Sequence, residues 1–155
     1  MGVSLRPVSY VDLPTIDGWA RDIGADYMSR TRPYDEGADG HDPDAGLYWY
    51  VITEGDLDIG TIWIELPSTQ SEAVLGVFLG DASKFGGGIG TAAIELAISA
   101  FRRAHPQLPI VLRVRQANAR AIACYRRAGF AVTGTGSKSL PSGERVPFYR
   151  MVCPR

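Results

Sequence analysis

Along this chain the spacing of apolar positions switches between a period of two and a period near 3.6, and the switches divide it into elements. Residues 3–8 alternate as a short strand, and Pro7 confines that strand to a sheet edge. Residues 10–23 read as a helix, with Asp12 as its N-cap and Pro14 in its first turn. Residues 25–32 read as a second short helix halted by Pro33. The pattern then turns β-branched and aromatic. Residues 47–53 and 59–66 form a hairpin about a turn at Glu54-Gly55-Asp56, and residues 73–79 add a third strand after a turn at 67–71. Such short connections make an antiparallel meander.

The helical period returns at residues 89–104. Thr91, Glu95, Ser99 and Arg102 make one polar stripe there and nearly everything else is apolar, so this helix lies against a sheet. A compact strand at 110–114 follows. Asn118 caps a helix over 119–128 that ends at Gly129. Residues 130–135 and 146–152 are strands flanking a turn-rich loop at 137–144. The order predicts an α+β fold, with helices on both faces of a mixed, mostly antiparallel sheet.

Composition narrows the picture by exclusion. A chain of 155 residues with 45% hydrophobic and 21% charged residues is expected to form a single domain over 1–155. The formal net charge of −1 gives no general attraction to nucleic acid or to an anionic membrane. No apolar run is long enough to span a bilayer, and the N-terminus lacks the apolar core of a signal peptide. Cys124 and Cys153 form no metal-like pair, so no metal site is expected, and reduced thiols in a cytoplasmic protein are.

Candidate chemistry concentrates in Lys84-Phe85-Gly86-Gly87-Gly88-Ile89-Gly90-Thr91. The glycines remove side chains that would hold a ligand away from the backbone, and the N–H groups opening the next helix suit a phosphate. A P-loop is excluded because Gly90 is followed by Thr91 and Ala92, without the lysine. Gly88-Ile89-Gly90-Thr91-Ala92-Ala93 fits a dinucleotide fingerprint. The context does not: antiparallel strands precede it and the acidic ribose partner is absent.

Coenzyme A is the third possibility, and here a resemblance is specific. Leu75-Gly76-Val77-Phe78-Leu79-Gly80-Asp81, the glycine run, and Asn118-Ala119-Arg120-Ala121-Ile122-Ala123-Cys124-Tyr125-Arg126-Arg127-Ala128-Gly129-Phe130 together resemble the GNAT superfamily of acetyl-CoA-dependent N-acetyltransferases. The nearest branch is that of ribosomal-protein N-terminal and aminoglycoside 6′-type acetyltransferases. The likeness is strong from about Leu75 to Thr135 and loose before it. Phe85 stands where the general family pattern has Gln or Arg, so backbone donors from Gly86, Gly87, Gly88, Ile89, Gly90 and Thr91 must hold the pyrophosphate, with Lys84 nearby as a point charge.

The resemblance implies direct transfer of an acetyl group from acetyl-CoA to a primary amine. It further implies that Phe78, Leu79 and Gly80 line the pantetheine arm, that a backbone N–H there polarises the thioester carbonyl, and that Asn118 hydrogen-bonds the pantetheine. Tyr125 matches the family's tyrosine that protonates the departing thiolate. Candidate bases are Glu65, Glu72 and Asp81; the strand aspartate of aminoglycoside-type members falls on Gly76, which argues against simple aminoglycoside transfer. Cys124 reads as a core residue, because direct transfer needs no nucleophile.

The acceptor side is expected to include the loop at 34–46, where Asp35, Glu36, Asp39, Asp42 and Asp44 would attract a cationic acceptor, with His41 as a further contact. An aromatic wall could come from Tyr27, Tyr34, Tyr48, Trp49, Tyr50 and Trp63. A monomer or a homodimer fits the sequence equally. The alternative function is a non-catalytic acyl-CoA-binding sensor or scaffold.

Overall fold

The computed structural model describes residues 2–23, 30–35, 37–67 and 71–154. One seven-stranded sheet organises them, in the order β1-β2-β3-β4-β5-β7-β6. Its strands are β1 (Val3–Pro7), β2 (Leu47–Glu54), β3 (Leu57–Glu65), β4 (Ala73–Leu79), β5 (Ile110–Arg115), β6 (Ala131–Ser139) and β7 (Arg145–Cys153). The helices are α1 (Leu13–Ile23), α2 (Ile89–Ala104) and α3 (Ala119–Arg127). Every strand pair is antiparallel except β4 with β5.

Strand alternation sends side chains to two separate cores. On one face Ile52, Ile62, Ile64, Leu75 and Leu79 meet Ile94, Ala97 and Phe101 of α2, and Ile122 and Tyr125 of α3 pack beside them. On the other face Trp49, Val51, Trp63 and Phe78 meet Ile16 of α1. Helices therefore cover both faces, as the apolar periods predict. Pro7 lies at the end of edge strand β1, where its missing N–H costs no ladder bond.

Several boundaries differ from the sequence reading for identifiable reasons. The first helix opens with a 3₁₀ turn, Tyr10–Asp12, whose N-cap is Ser9 and not Asp12. Asp12 instead accepts from the Ser9 N–H at 2.9 Å and from the Arg6 guanidinium at 2.9 and 3.0 Å. The Arg6 guanidinium, with the Ser9 N–H, holds the Asp12 carboxyl below its ordinary value. The helix read over 25–32 lies largely outside the described residues, and Arg30, Thr31 and Arg32 are not helical. At the other end, β6 runs on to Ser139, into the first part of the region 137–144 read as a turn-rich loop, and β7 begins at Arg145 just after it. Arg145 ties that extension together by donating to Ser137 Oγ at 2.6 Å and Ser139 Oγ at 2.9 Å. The Phe148 ring also covers Gly136 across the strands, leaving no room for a Cβ there.

The feature that makes a site is the single parallel pairing. β4 and β5 are paired only at Ala73 with Ile110 and Val74 with Val111. Beyond those rungs the strands part, and a cleft opens through the middle of the sheet.

Candidate active site

Two cavities meet at this parting. The smaller, about 240 Å³, lies against Phe78, Leu79, Phe85, Gly86, Gly88 and Thr91. The larger, about 450 Å³, lies between the splayed strands and is walled by Tyr34, Trp63, Glu72, Arg113, Phe148 and Arg150. Val77, Asn118 and Tyr125 line both.

The smaller cavity is built from main chain. Gly86 and Gly88 have φ of 82° and 83°, a conformation that L side chains rarely adopt, and a Cβ at either would project into open space. The first bond of α2 runs from the Ala92 N–H to the Gly88 carbonyl at 3.0 Å. The N–H groups of Ile89, Gly90 and Thr91 thus precede the ladder at the positive end of the helix dipole. Gly90 serves a different purpose: a Cβ there would stand 3.2 Å from Cys124 Sγ, so its absence lets α3 approach the start of α2. This bare, positively polarised turn fits the pyrophosphate of coenzyme A.

Side chains around the turn sort themselves unexpectedly. Lys84 is ion-paired with Glu54 at 3.1 Å. Arg120 and Arg127 of α3 also line the smaller cavity, and the Arg120 guanidinium lies 5.8 Å from the Phe85 ring centroid. Sequence reasoning passed over both arginines. Their spacing of seven residues on one helix was the available signal, because it repeats a helix face.

The strand bordering the turn can be read bond by bond. The Gly80 N–H donates to Ile59 O of β3 at 2.7 Å, and the Ala73 N–H donates the other way, to Pro109 O at 2.9 Å. Alternation between these anchors directs the Val77 and Leu79 amides into the parting and the Phe78 and Gly80 amides toward β3. Of the three residues expected along the pantetheine arm, Leu79 thus offers its backbone to the cleft. Phe78 lines the cavity by its side, and Gly80 is committed to β3 and packed under the Trp19 ring of α1. Val77, which sequence reasoning did not name as a site residue, offers the second amide.

Asn118 caps α3 by accepting from the Ala121 N–H at 3.2 Å, which fixes its side chain at the mouth of both cavities. Tyr125 lies two turns further along α3, packed edge-on to Phe130 with ring centroids 6.2 Å apart. Burial pushes its phenol above the ordinary tyrosine value, and Cys124 next to it adds to the effect. Tyr125 therefore keeps its proton at neutral pH.

The acidic candidates separate. Glu72 reaches the larger cavity, where it is ion-paired with Arg150 at 2.6 Å. Glu65 is buried at the end of β3 and accepts from the Tyr34 N–H at 2.8 and 3.0 Å; it lines neither cavity, and burial raises its pKa. Asp81 is fully exposed and accepts from the Ser83 N–H at 2.8 Å, a bond that lowers its pKa. Gly76 has no room for any side chain, because a Cβ there would lie 2.2 Å from the Trp63 ring.

The loop at 34–46 contributes less than its composition suggests. Tyr34 lines the larger cavity, but none of Asp35, Asp39, Asp42 and Asp44 lines either one, and Glu36 lies outside the described residues. His41 accepts from the Trp49 N–H at 3.0 Å and packs on Tyr50, which fastens the loop to β2 away from the cleft. Tyr48 and Trp49 are buried in the two cores. Of the aromatic residues considered for the acceptor wall, Tyr34 and Trp63 reach it, while Tyr27 lies outside the described residues.

Residues 3–131 match the family model described as an Acetyltransferase (GNAT) domain. The fold is shared with aminoglycoside acetyltransferase AAC(6')-Ib in complex with coenzyme A, at 21% identity over 99% of this chain and 95% of that one, with a TM-score of 0.72. A chimera of the spermidine N-acetyltransferase SpeG from Vibrio cholerae and hSSAT gives 18% identity, 99% and 96% coverage and a TM-score of 0.76. An acetyltransferase of the GNAT family from Streptococcus pneumoniae gives 16%, 99% and 100%, with a TM-score of 0.74. No curated protein matches the chain.

Proposed function

The chain belongs to the GNAT acetyltransferase family, and from that premise we propose that it transfers an acetyl group from acetyl-CoA directly to the amine of a small molecule or peptide. The observation that carries the reading is the junction at Val77, Asn118 and Tyr125, shared by a backbone-lined cavity and a side-chain-lined one. A donor and an acceptor held on either side of it would meet there, and positioning of that kind is a large part of the catalysis of a bimolecular step.

Bound acetyl-CoA supplies an acetyl thioester. Gly86, Gly87, Gly88, Ile89, Gly90 and Thr91 hold the phosphates through their backbone. The Val77 and Leu79 amides are the donors available to polarise a carbonyl in the parting. Tyr125 holds a proton at its phenol oxygen for the departing sulfur. Glu72, the carboxylate that reaches the acceptor cavity, takes the amine proton directly or through water. Glu65, lacking access to the cleft, acts by holding Tyr34 in the wall.

Thiol release from acetyl-CoA with a panel of amines tests the proposal. The expected result is release that depends on one class of amine. The reading is overturned if no amine gives release while acetyl-CoA still binds. That result would favour the second reading, a non-catalytic acyl-CoA-binding module, which draws on the ion pairing of the one carboxylate in the acceptor cavity among the described residues. No helix among the described residues is long and apolar enough to cross a membrane. Cys124 and Cys153 are free thiols, and a reducing cytoplasm is the proposed location.

A further inference from the structure

The larger cavity has a charge that the whole chain does not. Among the described residues its wall carries Arg30, Arg113, Arg115, Lys138 and Arg150 against the single carboxylate of Glu72. That carboxylate is already engaged by Arg150 at 2.6 Å. The chain as a whole has a formal net charge of −1, so the positive charge is a local concentration and not a general property of the surface.

The register explains where it comes from. Arg113 of β5 and Arg150 of β7 stand directly opposite each other in the antiparallel ladder. Like charges in that relation destabilise a sheet. Arg115 lies two residues from Arg113 on the same face of β5 and pairs in register with Phe148, and the Arg113 guanidinium lies 5.2 Å from the centroid of that ring. Leu112 and Val114, on the opposite face, are buried in the core against α2. Basic side chains on the cleft side thus cluster at a cost to the fold, which a bound anion would offset. Tyr34, Trp63 and Phe148 give the same wall flat apolar surfaces.

We infer that the acceptor is a small amine that also carries an anionic group, a carboxylate or a phosphate, and that Arg113, with Arg115 and Arg150, receives that group while the amine points to the junction at Tyr125. This rests on the acetyl-transfer reading above and specifies its substrate class. It replaces the cationic acceptor expected from the acidic loop, whose described carboxylates stand outside the cavity. A polyamine entering here would meet like charge.

Binding separates this inference from the question of turnover. Affinities are measured by calorimetry for phenylalanine against phenylalaninamide, and for phosphoethanolamine against ethanolamine, with spermidine as the cationic probe. The anionic member of at least one pair is expected to bind about tenfold tighter than its counterpart, the size of a charge-assisted contact. The preference should shrink as salt is raised. Which pair discriminates identifies the anion as carboxylate or phosphate. Arg113→Gln should weaken the anionic ligand about tenfold and leave its uncharged-end counterpart within about twofold. Because the paired ligands are compared on the native protein, the test does not depend on the variant folding. Equal binding within both pairs, or tighter binding of spermidine than of any anionic probe, overturns the inference. If the anionic preference holds but thiol release is absent with every amine, the acetyl-transfer reading fails while the anion-binding cavity stands.

Discussion

The two cavities offer a ligand opposite kinds of surface. The smaller is made of backbone from nearly contiguous chain: the end of β4, the glycine turn and the start of α2, with α3 closing one side. The larger is made of side chains from β3, β4, β5, β6 and β7, brought together where a sheet splits. A main-chain surface offers the same N–H groups whatever side chains surround it, so it suits a cofactor common to many enzymes. A side-chain surface can change charge by substitution without disturbing the ladder beneath, so it suits an acceptor peculiar to one enzyme. Under the proposed function, donor recognition and acceptor recognition are separable in this molecule, and substitutions can test the separation.

The largest effect is expected at the junction, which belongs to both sides. Tyr125→Phe should lower kcat by about a hundredfold or more, with acetyl-CoA binding unchanged in calorimetry, because only the proton donor is lost. An unchanged kcat would remove Tyr125 from the chemistry.

Gly88→Val should strike the donor side alone. A β-branched residue at φ of 83° is strained, and its side chain would occupy the cleft. The KM for acetyl-CoA is expected to rise about thirtyfold. Equal weakening of the acceptor would break the separation.

Glu72→Gln should strike the acceptor side alone, lowering kcat by about tenfold or more. A KM for acetyl-CoA that moves with it would argue against the assignment.

The smallest effect lies outside both cavities. Burial pushes the His41 pKa below the ordinary imidazole value. The unfolded chain then takes up a proton near pH 6.5 while the folded protein resists it. This contribution is full above about pH 6.5 and is lost as the pH falls toward the folded value. Melting curves should show Tm falling over that window, and His41→Gln should abolish this part of the pH dependence. Persistence of the same slope in the variant would assign it elsewhere.

What could be read from the chain follows the same division. The short apolar run over Ala73–Leu79 and the helical period over Ile89–Ala104 marked a strand and a helix directly, because each pattern is local to its own element. The glycine turn was legible as a bare stretch of backbone for the same reason: its surface is made by adjacent residues. Asn118 at the N-cap of α3 and Tyr125 within it face both cavities, and the roles proposed for them rest on the family resemblance. The full extent of β6 was not legible, since Gly134, Gly136 and their polar neighbours carry weak strand preference and are held by the Phe148 ring and the Arg145 guanidinium across the hairpin.

The place of the acidic loop was not legible for a related reason. Composition cannot say which way a loop faces, and His41 pins this one to β2. The sequence by itself determined the elements, their two buried faces and the backbone cradle, all set by periodicities and conformations within a few residues. Only the tertiary structure decided the acceptor cavity. Its charge depends on Arg113 meeting Arg150 and on Glu72 reaching across to Arg150 over a separation of 78 residues, and those neighbours are fixed by sheet register and the parting of β4 from β5.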